Sequence, residues 1–213
     1  MCGFLIRVNT MSDDFTQRAT ELVEAGRFLY QRGMVPATSG NFSAKLDDGT
    51  LAVTVSGRHK GKLAVADIMR VNDKGESLDG RRPSAETLLH VQIYSRTNAR
   101  SVLHPHSVNA TLLSKLTTGH LVLQDYELLK AFPGVDTHEC RVTVPIFNND
   151  QNIGRLADQV DTYMTVQPEP VFGYLINGHG FYTWGENIES ALRHVEAFEF
   201  LFECEMRIRG KSK

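Results

Sequence analysis

Residues 101–115 read SVLHPHSVNATLLSK. The first six predict a strand over 101–106 and the last eight a helix over 108–115. The same alternation continues outward on both sides. Upstream, the spacing predicts a helix over 15–32 that stops at Gly33, with Ser12-Asp13-Asp14 as an acidic helix start. Two strands follow at 42–46 and 51–56, turned by Asp47-Asp48-Gly49. A further strand lies near 68–72, and Pro83-Ser84 opens a helix over 85–95. Downstream, a helix is expected over 152–163 and strands over 172–177 and 181–184. A long helix over 187–209 follows, striped by Ile188, Ala191, Leu192, Val195, Phe198, Leu201, Phe202 and Met206. Residues 117–150 carry no readable pattern. Helices alternating with short strands predict one α/β layered domain over 12–210, preceded by a disordered extension over 1–11.

Composition narrows the function classes. The chain has 213 residues, 41% of them from the AVILMFWYC set, and 17 glycines, enough apolar material for a real core. Lys and Arg number 23 against 25 Asp and Glu, a net charge of −2, which argues against a nucleic-acid groove. No run approaches about 18 consecutive apolar residues, so no membrane helix is expected. Cys2, Cys140 and Cys204 are odd in number and form no CxxC. A disulfide framework or thiolate zinc site is therefore not expected, and a cytoplasmic setting is. The opening residues lack a basic leader with a long apolar run, so no secretory signal is read there.

Eight histidines remain to be placed. In His104-Pro105-His106 the two imidazoles project from one face of a strand end, where one divalent ion can bridge them. His179 stands between Gly178 and Gly180 in a tight strand-to-strand turn. Three neutral imidazoles leave a coordination position open, as a catalytic zinc site does. A surface histidine pair beside an unrelated turn histidine fits the same residues, and His138 is a rival third ligand. His90, four residues after Glu86, reads as a helix-surface partner of that carboxylate. His194 reads as a core histidine. His59 and His120 carry no pattern.

Five motifs then fall in one order: Ser39-Gly40-Asn41, Thr54-Val55-Ser56-Gly57, Pro83-Ser84-Ala85-Glu86, His104-Pro105-His106-Ser107 and Asn177-Gly178-His179-Gly180. From about residue 15 to 209 the chain resembles the class II aldolase/adducin family of zinc-dependent sugar-phosphate enzymes, and most of all its dehydratase branch in methionine salvage. The resemblance implies a central, mainly antiparallel β-sheet flanked by helices. It implies one Zn2+ per subunit on His104, His106 and His179. It also implies a ketose 1-phosphate substrate whose phosphate is held by Gly40, Asn41, Ser56, Gly57, Ser84 and Ala85. Gly-rich turns and a helix N-terminus suit that anion. Arg58 and Lys60 either steer the phosphate or form a solvated surface pair.

Two carboxylates are candidate acid/base groups. Glu127 matches the glutamate that dehydratase members carry after the HxH segment, and its pKa should approach the working pH by partial burial. Glu86 falls where aldolases place theirs. Phe132 and Tyr182 are candidate lining for an apolar substrate group. A class II aldolase or a pentulose-phosphate epimerase is the alternative outcome on the same scaffold. Family members are commonly cyclic tetramers, so a homotetramer is expected, with site residues shared between neighbours.

Overall fold

The first helix, α1 (Met11–Gln31), buries Ala19, Leu22, Val23, Ala25 and Leu29, a stripe at helical spacing, against the sheet. Each fully buried leucine contributes roughly 1.5–3 kcal/mol of transfer free energy, which fixes the helix on that face. The computed structural model describes residues 11–211. The expected disordered extension lies outside the described residues, except for Met11, which is already helical. Eight strands follow: β1 (Asn41–Lys45), β2 (Leu51–Thr54), β3 (Ile68–Val71), β4 (Ser101–His104), β5 (His120–Gln124), β6 (Arg141–Phe147), β7 (Gly173–Ile176) and β8 (Gly180–Gly185). They form one sheet in the order β3-β2-β1-β4-β8-β7-β6-β5, antiparallel except where β6 runs parallel to β7.

Strand alternation sends successive side chains to opposite faces. On one face, Phe42, Leu103, Leu175 and Phe181 pack with α1, α3 (Val108–Leu116) and α5 (Ile188–Lys211). On the other, Val53, Val102, Tyr174, Tyr182 and Trp184 pack with α2 (Thr87–Arg96) and α4 (Ile153–Val166). The sheet is thus the middle of three layers. The α5 stripe is buried as the spacing requires, Leu192 and Met206 only partly. No helix among the described residues is long and apolar enough to cross a membrane.

Two boundaries differ from expectation. The strand predicted to reach residue 106 ends at His104, because Pro105 has no N–H and the His106 amide donates to the Met34 carbonyl at 2.7 Å. Helix α2 begins at Thr87 rather than 85, since Glu86 holds non-helical ψ and the Thr87 amide closes a turn onto Ser84. The unread stretch 117–150 contains the β5–β6 pair, with a 3-10 turn at Glu127–Ala131 between them.

Candidate metal and phosphate site

Sheet register assembles the first half of the site. In the β1–β4 pair Asn41 lies opposite His104, so their side chains share the face that carries α2. The His104 ring is fully buried and stacks on Tyr182, centroids 3.9 Å apart and planes 10° from parallel. Its Nδ1–H donates to the Phe181 carbonyl at 2.8 Å, which leaves Nε2 as a bare lone pair. His106 Nε2 lies 2.9 Å from that atom. The β7–β8 turn supplies His179, and one ring nitrogen from each of the three histidines lies within 4.8 Å of the others.

Close backbone approach makes this convergence possible. A Cβ on Gly40 would stand 2.6 Å from the His104 carbonyl oxygen, and one on Gly180 would stand 2.3 Å from that of Pro105. Only hydrogen fits at either place. Burial, then the neighbouring imidazoles, push the pKa of His104 far down and that of His106 to about 2. Both are therefore neutral, the state in which imidazole ligates a metal. His179 Nδ1 is buried with no hydrogen-bond partner. An all-nitrogen set of converging rings with an orphaned ring nitrogen fits a divalent cation. His138 stands elsewhere, exposed and 3.8 Å from Glu127.

Glu86 closes the set. Its carboxylate oxygens lie 3.4 Å from His104 Nε2 and 3.5 Å from His179 Nε2, and one accepts from Asn41 Nδ2 at 2.8 Å. Gly40, Asn41, Ser56, Gly57, Ser84 and Ala85 all line one cleft of about 350 Å³ with Glu86, His106 and His179. Asn149 and Gln151, in the loop before α4, and Ile153, its first residue, add a wall that the sequence did not indicate. Of the two cations weighed, Arg58 turns to Asp67 at 3.1 Å, whereas Lys60 is 2% exposed and lines the cleft.

Three expected residues lie away from the cleft. Glu127 opens the 3-10 turn, exposed and paired with Lys130 at 2.7 Å; that hydrogen bond holds its pKa below the usual carboxylate value rather than raising it. Phe132 packs in the core with Phe172 and Phe198, and Tyr182 is sealed behind His104. Neither lines the cleft. Sequence reasoning also took His90 for a surface residue; it is fully buried.

A family model described as Class II Aldolase and Adducin N-terminal domain matches residues 20–206. The chain is 60% identical over 198 residues to the methylthioribulose-1-phosphate dehydratase of Methylococcus capsulatus, covering 92% of this chain and 97% of that protein. It is 56% identical over 206 residues to the enzyme of the same name from Pseudomonas paraeruginosa, covering 95% and 100%. Among solved structures, YgbL from Escherichia coli superposes with a TM-score of 0.77 at 23% identity, covering 89% of this chain and 88% of that one. The L-fuculose-1-phosphate aldolase of Thermus thermophilus superposes with a TM-score of 0.74 at 24% identity, covering 92% and 98%. At such identities the superpositions establish the fold.

Proposed function

The chain belongs to the class II aldolase and adducin family, and from that membership we propose that it is a hydro-lyase acting in methionine salvage. The reaction is dehydration of 5-methylthioribulose 1-phosphate to 2,3-diketo-5-methylthiopentyl 1-phosphate. One observation carries this reading: His106 and His179 line the same cleft as the glycine and serine turns at Gly40, Ser56-Gly57 and Ser84, with His104 converging on them from behind. The relatives at 55–60% identity bear the dehydratase name and span nearly the whole chain.

His104, His106 and His179 would hold the metal, and an all-imidazole set with an open position favours Zn2+. Bound there, the ion supplies Lewis-acid stabilisation of the negative charge that develops on the substrate oxygens. The remaining work falls to the chain. Gly40, Ser56, Gly57, Ser84 and Ala85 orient the phosphate, with Lys60 as its buried counter-charge. Glu86, beside two of the ligand imidazoles, takes the proton from C3. Loss of the C4 hydroxyl needs a proton donor, a role that Glu127 of an adjacent copy would fill in its protonated form once docking parts it from Lys130, whose hydrogen bond favours the carboxylate here. Ile153 and Val55 offer the apolar contact for the methylthio group.

Incubation with methylthioribulose 1-phosphate should yield the diketone, and chelation should stop it until zinc is restored. Cleavage to a three-carbon phosphate, with no diketone, would make the protein an aldolase instead. In deuterated buffer, Glu86→Gln should lose both C3 exchange and turnover, while Glu127→Gln should keep exchange and lose turnover. Loss of exchange in Glu127→Gln would return the C3 proton to Glu127.

A further inference from the structure

Behind Glu86 runs a buried chain of polar side chains that the proposed chemistry does not use. Asn41 and Ser43 stand two apart on β1, and Glu86, His90 and Tyr94 stand four apart along the start and body of α2. A two-residue step on a strand and a four-residue step on a helix both cover about 6–7 Å. The two elements therefore pair side chain to side chain. Asn41 Nδ2 bonds Glu86 at 2.8 Å, Asn41 Oδ1 bonds His90 Nε2, His90 Nδ1 bonds Ser43 Oγ at 2.7 Å, and Ser43 Oγ bonds Tyr94 Oη at 2.8 Å.

The chemistry of the groups fixes every direction in this chain. A carboxylate only accepts, so Asn41 must turn its amide nitrogen to Glu86 and its oxygen to His90. That oxygen only accepts, so His90 carries its proton on Nε2. Burial lowers the pKa of His90 to about 4, so the ring has a single proton and Nδ1 is bare. Ser43 must then donate to Nδ1, and Tyr94 to Ser43. All four donors are aimed toward Glu86.

We infer that His90 is a positioning residue for Glu86: held as its Nε2–H tautomer by Ser43 and Tyr94, it orients the Asn41 amide, which fixes the carboxylate beside His104 and His179. Without the His90 donor the Asn41 amide is free to rotate, and Glu86 loses its fixed N–H partner. The catalytic part of this inference rests on Glu86 as the base of the proposed dehydration.

The test combines zinc-loaded wild type with three variants. Ring 15N NMR of wild type should show a neutral His90 with Nε2–H and bare Nδ1; an Nδ1–H or doubly protonated ring overturns the inference whatever the enzyme's activity. His90→Phe keeps the ring volume and removes the donor. It should lower kcat by about 10–100-fold, the range typical of lost outer-shell support. KM should change little. His90→Gln, which can present an amide N–H to Asn41, should recover most of kcat. Tyr94→Phe, two bonds further away, should cost less than His90→Phe. A His90→Phe enzyme within twofold of wild type, or a His90→Gln enzyme as slow as His90→Phe, overturns the inference. If His90→Phe fails to fold, the tautomer, the His90→Gln kcat and Tyr94→Phe decide; a Tyr94→Phe loss as large as 100-fold counts against a graded relay. A confirmed tautomer in a wild type that forms no diketone would refute the dehydratase reading and leave the geometry standing.

Discussion

At the scale of single residues, burial makes Lys60 a candidate pH-dependent partner for the substrate phosphate. Its Nζ donates to the carbonyls of Thr38 and Arg58 at 3.0 and 2.7 Å, and burial lowers its pKa from 10.5 to about 8. A substrate phosphate keeps its charge at that pH while the ammonium loses its own. KM should therefore rise above about pH 8 with kcat nearly flat, and Lys60→Met should show a raised KM without that rise. Steady-state kinetics between pH 7 and 9.5 checks both. The linkage has a defined sign. The folded-state pKa lies below the unfolded one, so burying the charged amine opposes folding below about pH 8. That penalty fades between 8 and 10.5, on the order of 3 kcal/mol at the limit. Nothing in the sequence separated Lys60 from Arg58; only the docking of Tyr30 against Gly61, which fixes the 60–62 turn under α1, sends one inward.

At the scale of elements, the three histidines depend on loops that approach each other without side chains between them. Gly180→Ala would place a methyl 2.3 Å from the Pro105 carbonyl oxygen, which the β8 end already holds through the Phe181 amide at 3.1 Å. The loop carrying His104 and His106 must then shift. We expect about 1–3 kcal/mol of destabilisation and a fall in bound zinc, read by urea midpoint and metal analysis. Much of this level was legible in the sequence. The α1 and α5 stripes, the 47–49 hairpin and the HxH and GHG motifs each carry a local signal that tertiary packing did not override. The β5–β6 pair did not. β6 has Pro145 in its interior and meets an antiparallel neighbour on one side and a parallel one on the other, so no clean alternation marks it. The register that sets Asn41 against His104, and the matched spacing of β1 and α2, are facts about two elements at once and leave no trace in either alone.

At the scale of the whole molecule, the two candidate carboxylates are separated. Glu86 is in the cleft, whereas Glu127 is exposed at the 3-10 turn. Val108, Leu112 and Leu116 form an exposed apolar row at four-residue spacing along α3, the helix that follows His104-Pro105-His106. Such a row suits contact with another copy. If neighbours exchange Glu127 around a ring, two dead variants should repair each other. Mixing His104→Ala with Glu127→Gln and allowing subunits to exchange should restore about a quarter of wild-type activity, the statistical share of sites with both parts intact in a closed ring. Absence of any recovery in a mixture shown to have exchanged would assign Glu127 to its own chain. Glu127 was legible as a motif residue, but the copy its side chain would serve was not, because a one-chain pattern does not record it.

The stack behind His104 has an optical consequence. Tyr182 lies on the His104 ring, Tyr174 lies on Tyr182 with centroids 4.9 Å apart, and Trp184 follows 6.2 Å from Tyr174. Trp184 is the one tryptophan in the chain. The emission of this protein therefore comes from a single indole, fed by phenol rings of which Tyr182 stacks directly on His104. A quenching ion such as Cu2+ seated on the three histidines should dim that light, so occupancy of the centre can be followed by fluorescence with no label attached.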